Sequence, residues 1–127
     1  MRNKYAIKPT RVEMELLEAL WKLGSASIRE IQECLPDSRR LEYTTVQTVV
    51  YRLEEKGAVR RVKKIGNAHI FEPLVSRKTV SATLIEDFLR AFGGAPEPFV
   101  AHLVESGAIS LKELKELEKI AKERGLK

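Results

Sequence analysis

A single cysteine in 127 residues leaves no partner for an internal disulfide and too few thiols for a cysteine-rich metal site, which fits a reducing cytoplasm. Apolar runs are short, and none approaches the roughly 20 residues of a membrane span. The start, MRNKYAIKPT, carries cations without an apolar stretch, so no signal peptide is expected. His69 and His102 lie far apart with no companion Cys or His at ligand spacing, and no metal is expected. There is no glycine-rich phosphate loop and no nucleophile motif. The carboxylates fall mostly on amphipathic stretches as i,i+4 partners of lysine, as in Glu18–Lys22 and Glu118–Lys122. These absences argue against an enzyme and against a bound cofactor. Internal repeats and low-complexity segments are also missing.

Charged residues make up 32% and hydrophobic residues 43%, the balance of a soluble chain with one domain or two small ones. The formal net charge is +5, mild support for a polyanionic partner. Up to residue 75 there are 14 basic and 10 acidic residues; beyond it there are 9 and 8, so the basic excess lies in the N-terminal part.

Three segments open with a Ser/Thr-x-x-Glu capping box, in which side chain and backbone satisfy each other's hydrogen bonds: Thr10–Glu13, Ser27–Glu30 and Ser110–Glu113. After the first, Val12, Leu16, Ala19, Leu20 and Leu23 make a helical stripe that ends at Gly24. After the second, Ile28, Ile31 and Leu35 make a short one, stopped by Pro36. Trp21 and Cys34 are expected in the core.

TTVQTVVYRLEEKG, Thr44 to Gly57, is rich in β-branched residues that lose rotamer freedom in a helix. Read as a strand, both its faces are mixed. Read as a helix, Val46, Val49, Val50 and Leu53 form one stripe at i, i+3, i+4 and i+7. The opposite face then carries Thr44, Thr48, Tyr51 and Glu55, flanked by Gln47 and Arg52. The spacing predicts a helix over 44–53. Next, Gly66-Asn67 separates two β-prone runs, AVRRVKKI and AHIFEPLV, and predicts a hairpin; Ser25-Ala26 could add a short third strand.

Three helices followed by a hairpin make a winged helix-turn-helix, whose third helix enters the major groove. Thr44, Thr45, Gln47, Thr48, Tyr51 and Arg52 are the expected DNA contacts of that helix. Gln47 and Thr48 suit base edges and Arg52 suits a phosphate. In the hairpin Arg60, Arg61, Lys63 and Lys64 put four cations in five residues, suited to the DNA backbone.

From Ser76 the character changes to three helices. The first carries two apolar stripes, Val80, Leu84, Phe88 and Ala91 beside Ile85, Leu89 and Phe92, and Gly93-Gly94 ends it. The second runs from Pro96 to about Ser106, and the third follows Ser110. About fifty residues with no staple rarely hold a core of their own. A second copy of the chain is the economical partner for the extra stripe. The expected interface uses Leu84, Phe88, Phe92, Phe99, Leu103, Leu114 and Leu117. The expected fold is therefore mainly α with a small β-hairpin, with a winged-helix DNA-binding domain over 1–75 and a helical dimerisation domain over 76–127.

From about Lys8 to Lys122 the chain resembles the penicillinase repressor family (BlaI/MecI type). The resemblance rests on ALW at 19–21, YTTVQTVVYRLEEKG at 43–57, GNAHIFEP at 66–73, FGG at 92–94 and LKELKELEKI at 111–120. It implies a homodimeric repressor on inverted-repeat operator DNA, typically with TACA/TGTA half-sites, whose C-terminal helices form the dimer. It also implies a regulatory protease as partner, since β-lactam-responsive members are cut at an Asn-Phe bond; that position reads His102-Leu103 here. The family's wing often carries a basic residue and two tyrosines where this chain has Asn67, His69 and Phe71. Copper-responsive relatives end in paired cysteines, and the tail KERGLK has none, so copper sensing is not expected. The alternative to a repressor is a winged-helix protein-interaction module that no longer reads DNA. It would tolerate acidic residues on the outer face of the third helix, and only Glu55, near its end, is one.

Overall fold

The computed structural model describes residues 7–125; the first six residues, on which the signal-peptide expectation bears, and the last two of the KERGLK tail lie outside them. The element order is α1 (Arg11–Leu23), β1 (Ala26–Ser27), α2 (Ile28–Cys34), a 3-10 turn at Asp37–Arg39, α3 (Tyr43–Glu55), β2 (Val59–Ile65), β3 (Ala68–Pro73), α4 (Arg77–Ala91), α5 (Glu97–Glu105) and α6 (Leu111–Glu123).

All three capping boxes close reciprocally, at the starts of α1, α2 and α6. The valine-rich segment is a helix, and its stripe Val46, Val49, Val50 and Leu53 is buried against Leu16, Leu17 and Leu20 of α1, Ile31 of α2 and Phe71 of β3. Short branched side chains let α3 sit close to its neighbours, and packing outweighs their weak helix propensity.

The buried face of α1 is Glu13, Leu16, Leu17, Ala19 and Leu20. It keeps Leu16, Ala19 and Leu20 of the expected stripe and extends round to Glu13 and Leu17, while Leu23 at the helix end is exposed. A search for apolar spacing passes over Glu13 because it is charged, although it lies at the centre of the packed face.

The sheet has the order β1-β3-β2, all antiparallel. Ile65 pairs with Ala68 across a two-residue turn, where Gly66 takes the positive φ of 61° and Asn67 does not, as in a type II′ hairpin. The short third strand forms one residue later than expected, because Ser27 ends β1 and also caps α2. A bulge between Arg61 and Lys63 places Val62 outside the regular pairing.

Contacts divide the chain between Glu86 and Asp87, so α4 runs through the division. Its first turns pack with the winged-helix unit. Val80 is buried, Trp21 donates its indole N–H to the Val75 carbonyl at 2.9 Å, and Arg77 lies over the Trp21 ring and pairs with Glu18. Glu18 thus meets Arg77 rather than Lys22, whereas Glu118–Lys122 forms as expected at 2.9 Å. Trp21 and Cys34 are half-buried at the edge of the core. In the C-terminal unit Phe88 touches Phe92 and Phe99, with ring centroids 4.9 and 5.2 Å apart. No residue from 87 to 125 is buried.

Candidate nucleic-acid interface

With its valines turned inward, α3 presents Thr44, Thr45, Thr48 and Arg52 to solvent, and Gln47 and Tyr51 half-buried at one flank. The Thr48 hydroxyl donates to the Thr44 carbonyl at 2.9 Å, a bond that holds the rotamer and leaves its oxygen as an acceptor. Gln47 donates its amide N–H to the Tyr51 hydroxyl at 3.2 Å. Arg52 has no carboxylate partner among the described residues.

The four hairpin cations separate into two kinds. Arg60 pairs across the strands with Glu72 at 2.6 Å. Arg61 donates to Glu54 of α3 at 2.9 Å, and its guanidinium lies 4.9 Å from the Tyr51 ring and 5.4 Å from the Phe71 ring. The Glu54 hydrogen bond raises the Arg61 pKa above its ordinary value. Arg61 therefore ties the hairpin to α3. Lys63 and Lys64 are exposed and have no ion pair among the described residues. An exposed ion pair contributes roughly 0.2–1 kcal/mol and an exposed cation–π contact about 0.5–1 kcal/mol. Arg61→Ala is expected to lower unfolding stability by about 1 kcal/mol in urea titrations; no change would remove the tie.

A buried pair anchors the same end of α3. Glu13 is fully buried, and its Oε1 accepts from the Lys56 ammonium at 2.6 Å and from the Thr10 amide at 2.8 Å. Burial acts to raise the Glu13 pKa; the hydrogen bonds from Lys56 and Thr10 outweigh it and hold the carboxyl below its ordinary value. Lys56 caps the end of α3, so the pair joins the start of α1 to the end of the outward-facing helix.

Sequence reasoning missed this pair, whose members stand 43 positions apart. It also missed Arg29, whose guanidinium lies 5.0 Å over the Tyr43 ring at the start of α3. Spacing would have given Arg29 to Glu33, four residues on; a ring from a separate helix leaves no such signal. Of the remaining expected residues, Leu84, Phe99, Leu103 and Leu114 are half-buried, while Phe88, Phe92 and Leu117 are exposed. His102-Leu103 lies within α5.

A family model described as penicillinase repressor matches residues 9–123. The chain belongs to the penicillinase repressor family. It is 27% identical over 112 residues to the penicillinase repressor of Bacillus licheniformis, covering 87% of each chain. It is 31% identical over 97 residues to the transcriptional regulator BlaI of Mycobacterium tuberculosis, covering 74% of this chain and 70% of that one. The solved structure of the DNA binding domain of the repressor BlaI superposes with a TM-score of 0.50 at 25% identity, over 62% of this chain and 93% of that one. Members of the penicillinase repressor family are transcriptional regulators and not enzymes. Among the described residues no three His, Cys, Asp or Glu side chains could hold a metal ion, and no helix is long and apolar enough to cross a membrane.

Proposed function

We propose that the chain is a homodimeric transcriptional repressor that binds an inverted-repeat operator, with α3 of each protomer in the major groove. The observation that carries the DNA reading is the outer face of α3: short hydrogen-bonding side chains at its centre, a free cation at Arg52, and every carboxylate kept to its last turn. Gln47 and Thr48 read base edges, Thr44, Thr45 and Tyr51 adjoin them, and Arg52 meets a phosphate. In the wing, Lys63 and Lys64 meet the backbone directly. Arg60 and Arg61 join them only by giving up Glu72 and Glu54.

The dimer reading is supported by helices α4, α5 and α6. Ile85, Phe88, Phe92, Val100, Val104, Leu111, Leu117 and Ile120 are each more than 40% exposed in the single chain. A second copy would cover that surface, with Leu84, Phe88, Phe92, Phe99, Leu103, Leu114 and Leu117 at the interface. Release by cutting or displacing this domain, in or near Pro98–Gly107, follows from the avidity a dimer supplies. His102-Leu103 is helical, so a protease would have to unwind α5 to reach it. Ser106-Gly107, in the exposed connection to α6, is the more accessible part of that stretch.

The test of the DNA assignment uses a duplex with TACA/TGTA inverted half-sites and a scrambled duplex. Gln47→Ala and Thr48→Ala are each expected to lose about 1–3 kcal/mol on the first and little on the second. Arg52→Ala is expected to weaken both equally and reduce the salt slope by about one. Unchanged affinities for both duplexes in all three variants would refute the assignment. The protein-interaction module, the competing reading, would bind the two duplexes alike already as wild type.

A further inference from the structure

A recognition helix in the major groove lies between two phosphate backbones, one on each side. On α3 the free cation is on one flank only. Arg52 and Tyr43 are nine residues apart, two and a half turns at about 3.6 residues per turn, and so lie on opposite flanks. The Tyr43 flank has no cation of its own on α3. What stands there is Arg29 of α2, exposed and lying 5.0 Å over the Tyr43 ring.

The surroundings suit an anion. Among the described residues Arg29 has no carboxylate partner, although Glu33 lies one turn along the same helix. Arg29 and Tyr43 line a cleft of about 100 Å³ that continues past Gln47 to Asn67 and His69 of the hairpin, and no acidic residue lines it. α3 begins beside it without a side-chain cap, since Glu42 makes no hydrogen bond to the first amides. Stacking on an aromatic face keeps a guanidinium charged and oriented while leaving its N–H donors free at the edge.

We propose that Arg29, positioned by the Tyr43 ring, binds a backbone phosphate on the strand opposite the one that Arg52 meets, so that two arginines from separate helices clamp the recognition helix across the groove. This rests on the reading that α3 enters the major groove.

The experiment is phosphate-ethylation interference on each strand of the inverted-repeat TACA/TGTA duplex, with salt titrations of the same complexes. Wild type, Arg29→Ala, Arg29→Lys, Arg52→Ala and the double alanine variant are compared. Arg29→Ala is expected to lose interference at a phosphate on one strand and Arg52→Ala on the other. Each single change reduces the log–log salt slope by about one and the double by about two. Arg29→Lys keeps the slope. The ratio of operator to scrambled affinity stays constant in Arg29→Ala. Arg29 is exposed, so thermal unfolding of the variants is expected to match wild type. An unchanged slope in Arg29→Ala, or loss on the same strand as Arg52→Ala, overturns the clamp while leaving groove binding intact. Wild-type protein that does not distinguish operator from scrambled DNA overturns the underlying reading instead.

Discussion

Leu117→Asp should turn the dimer into a monomer without unfolding the chain. Leu117 is 53% exposed in the single protomer, so an aspartate there costs the isolated fold little. In an interface between two copies the same carboxylate would be desolvated among Ile120, Leu114 and their counterparts, at a cost of several kcal/mol. Sedimentation at micromolar concentration should then show a single 14.4 kDa species for the variant and twice that mass for wild type. Operator affinity should fall with the dimer. Two linked recognition helices gain an effective concentration that a monomer lacks, a factor of about 10²–10⁴. A variant that remains dimeric would locate the interface elsewhere, and a variant that is monomeric yet binds operator normally would show that dimerisation does not control affinity.

The second large effect lies within the winged-helix unit. Lys56→Met leaves the fully buried Glu13 carboxylate without its cation, and removing one partner of a buried pair costs roughly 3–5 kcal/mol. Lys56 keeps some contact with water, which points to the lower end, about 3 kcal/mol. The loss should depend on pH in a defined sense. In wild type the Glu13 pKa is depressed below 4.5, so its contribution to stability is complete above that value and disappears as pH falls through the depressed pKa. Without Lys56, its hydrogen bond and its charge no longer lower the Glu13 pKa, so the variant lacks this contribution at every pH. The stability gap between Lys56→Met and wild type should therefore be widest at pH 7 and narrow below pH 4.5. Urea unfolding at several pH values reads it directly. A gap that stays constant with pH would mean that Glu13 does not titrate as a buried partner of Lys56.

These two cases also mark what could be read from residues alone. The inner face of α3 was legible because four apolar side chains fall on one 3.6-residue period, and the hairpin because Gly66-Asn67 divides two β-prone runs. The capping boxes were legible because their partners are three residues apart. The features that hold α3 in place were not. Glu13–Lys56 spans 43 positions, Arg61 reaches Glu54 and two rings from another element, and Arg29 meets Tyr43 across a helix boundary. Each is a contact between elements whose approach depends on the packed core, and charge patterning along one chain segment carries no record of it. The bulge at Val62 is of the same kind, since it is defined only by the facing strand. Charge counting also treated Arg60, Arg61, Lys63 and Lys64 as equivalent, whereas two of them are paired with carboxylates of the same molecule.

The central claim is that two copies of this chain, joined through their C-terminal helices, read two half-sites together. Native mass spectrometry of the intact chain with a TACA/TGTA inverted-repeat duplex, at less protein than DNA, tests it most directly. The account predicts free duplex and complexes holding two chains, with no appreciable population holding one. Complexes that carry a single chain as their main species would contradict it.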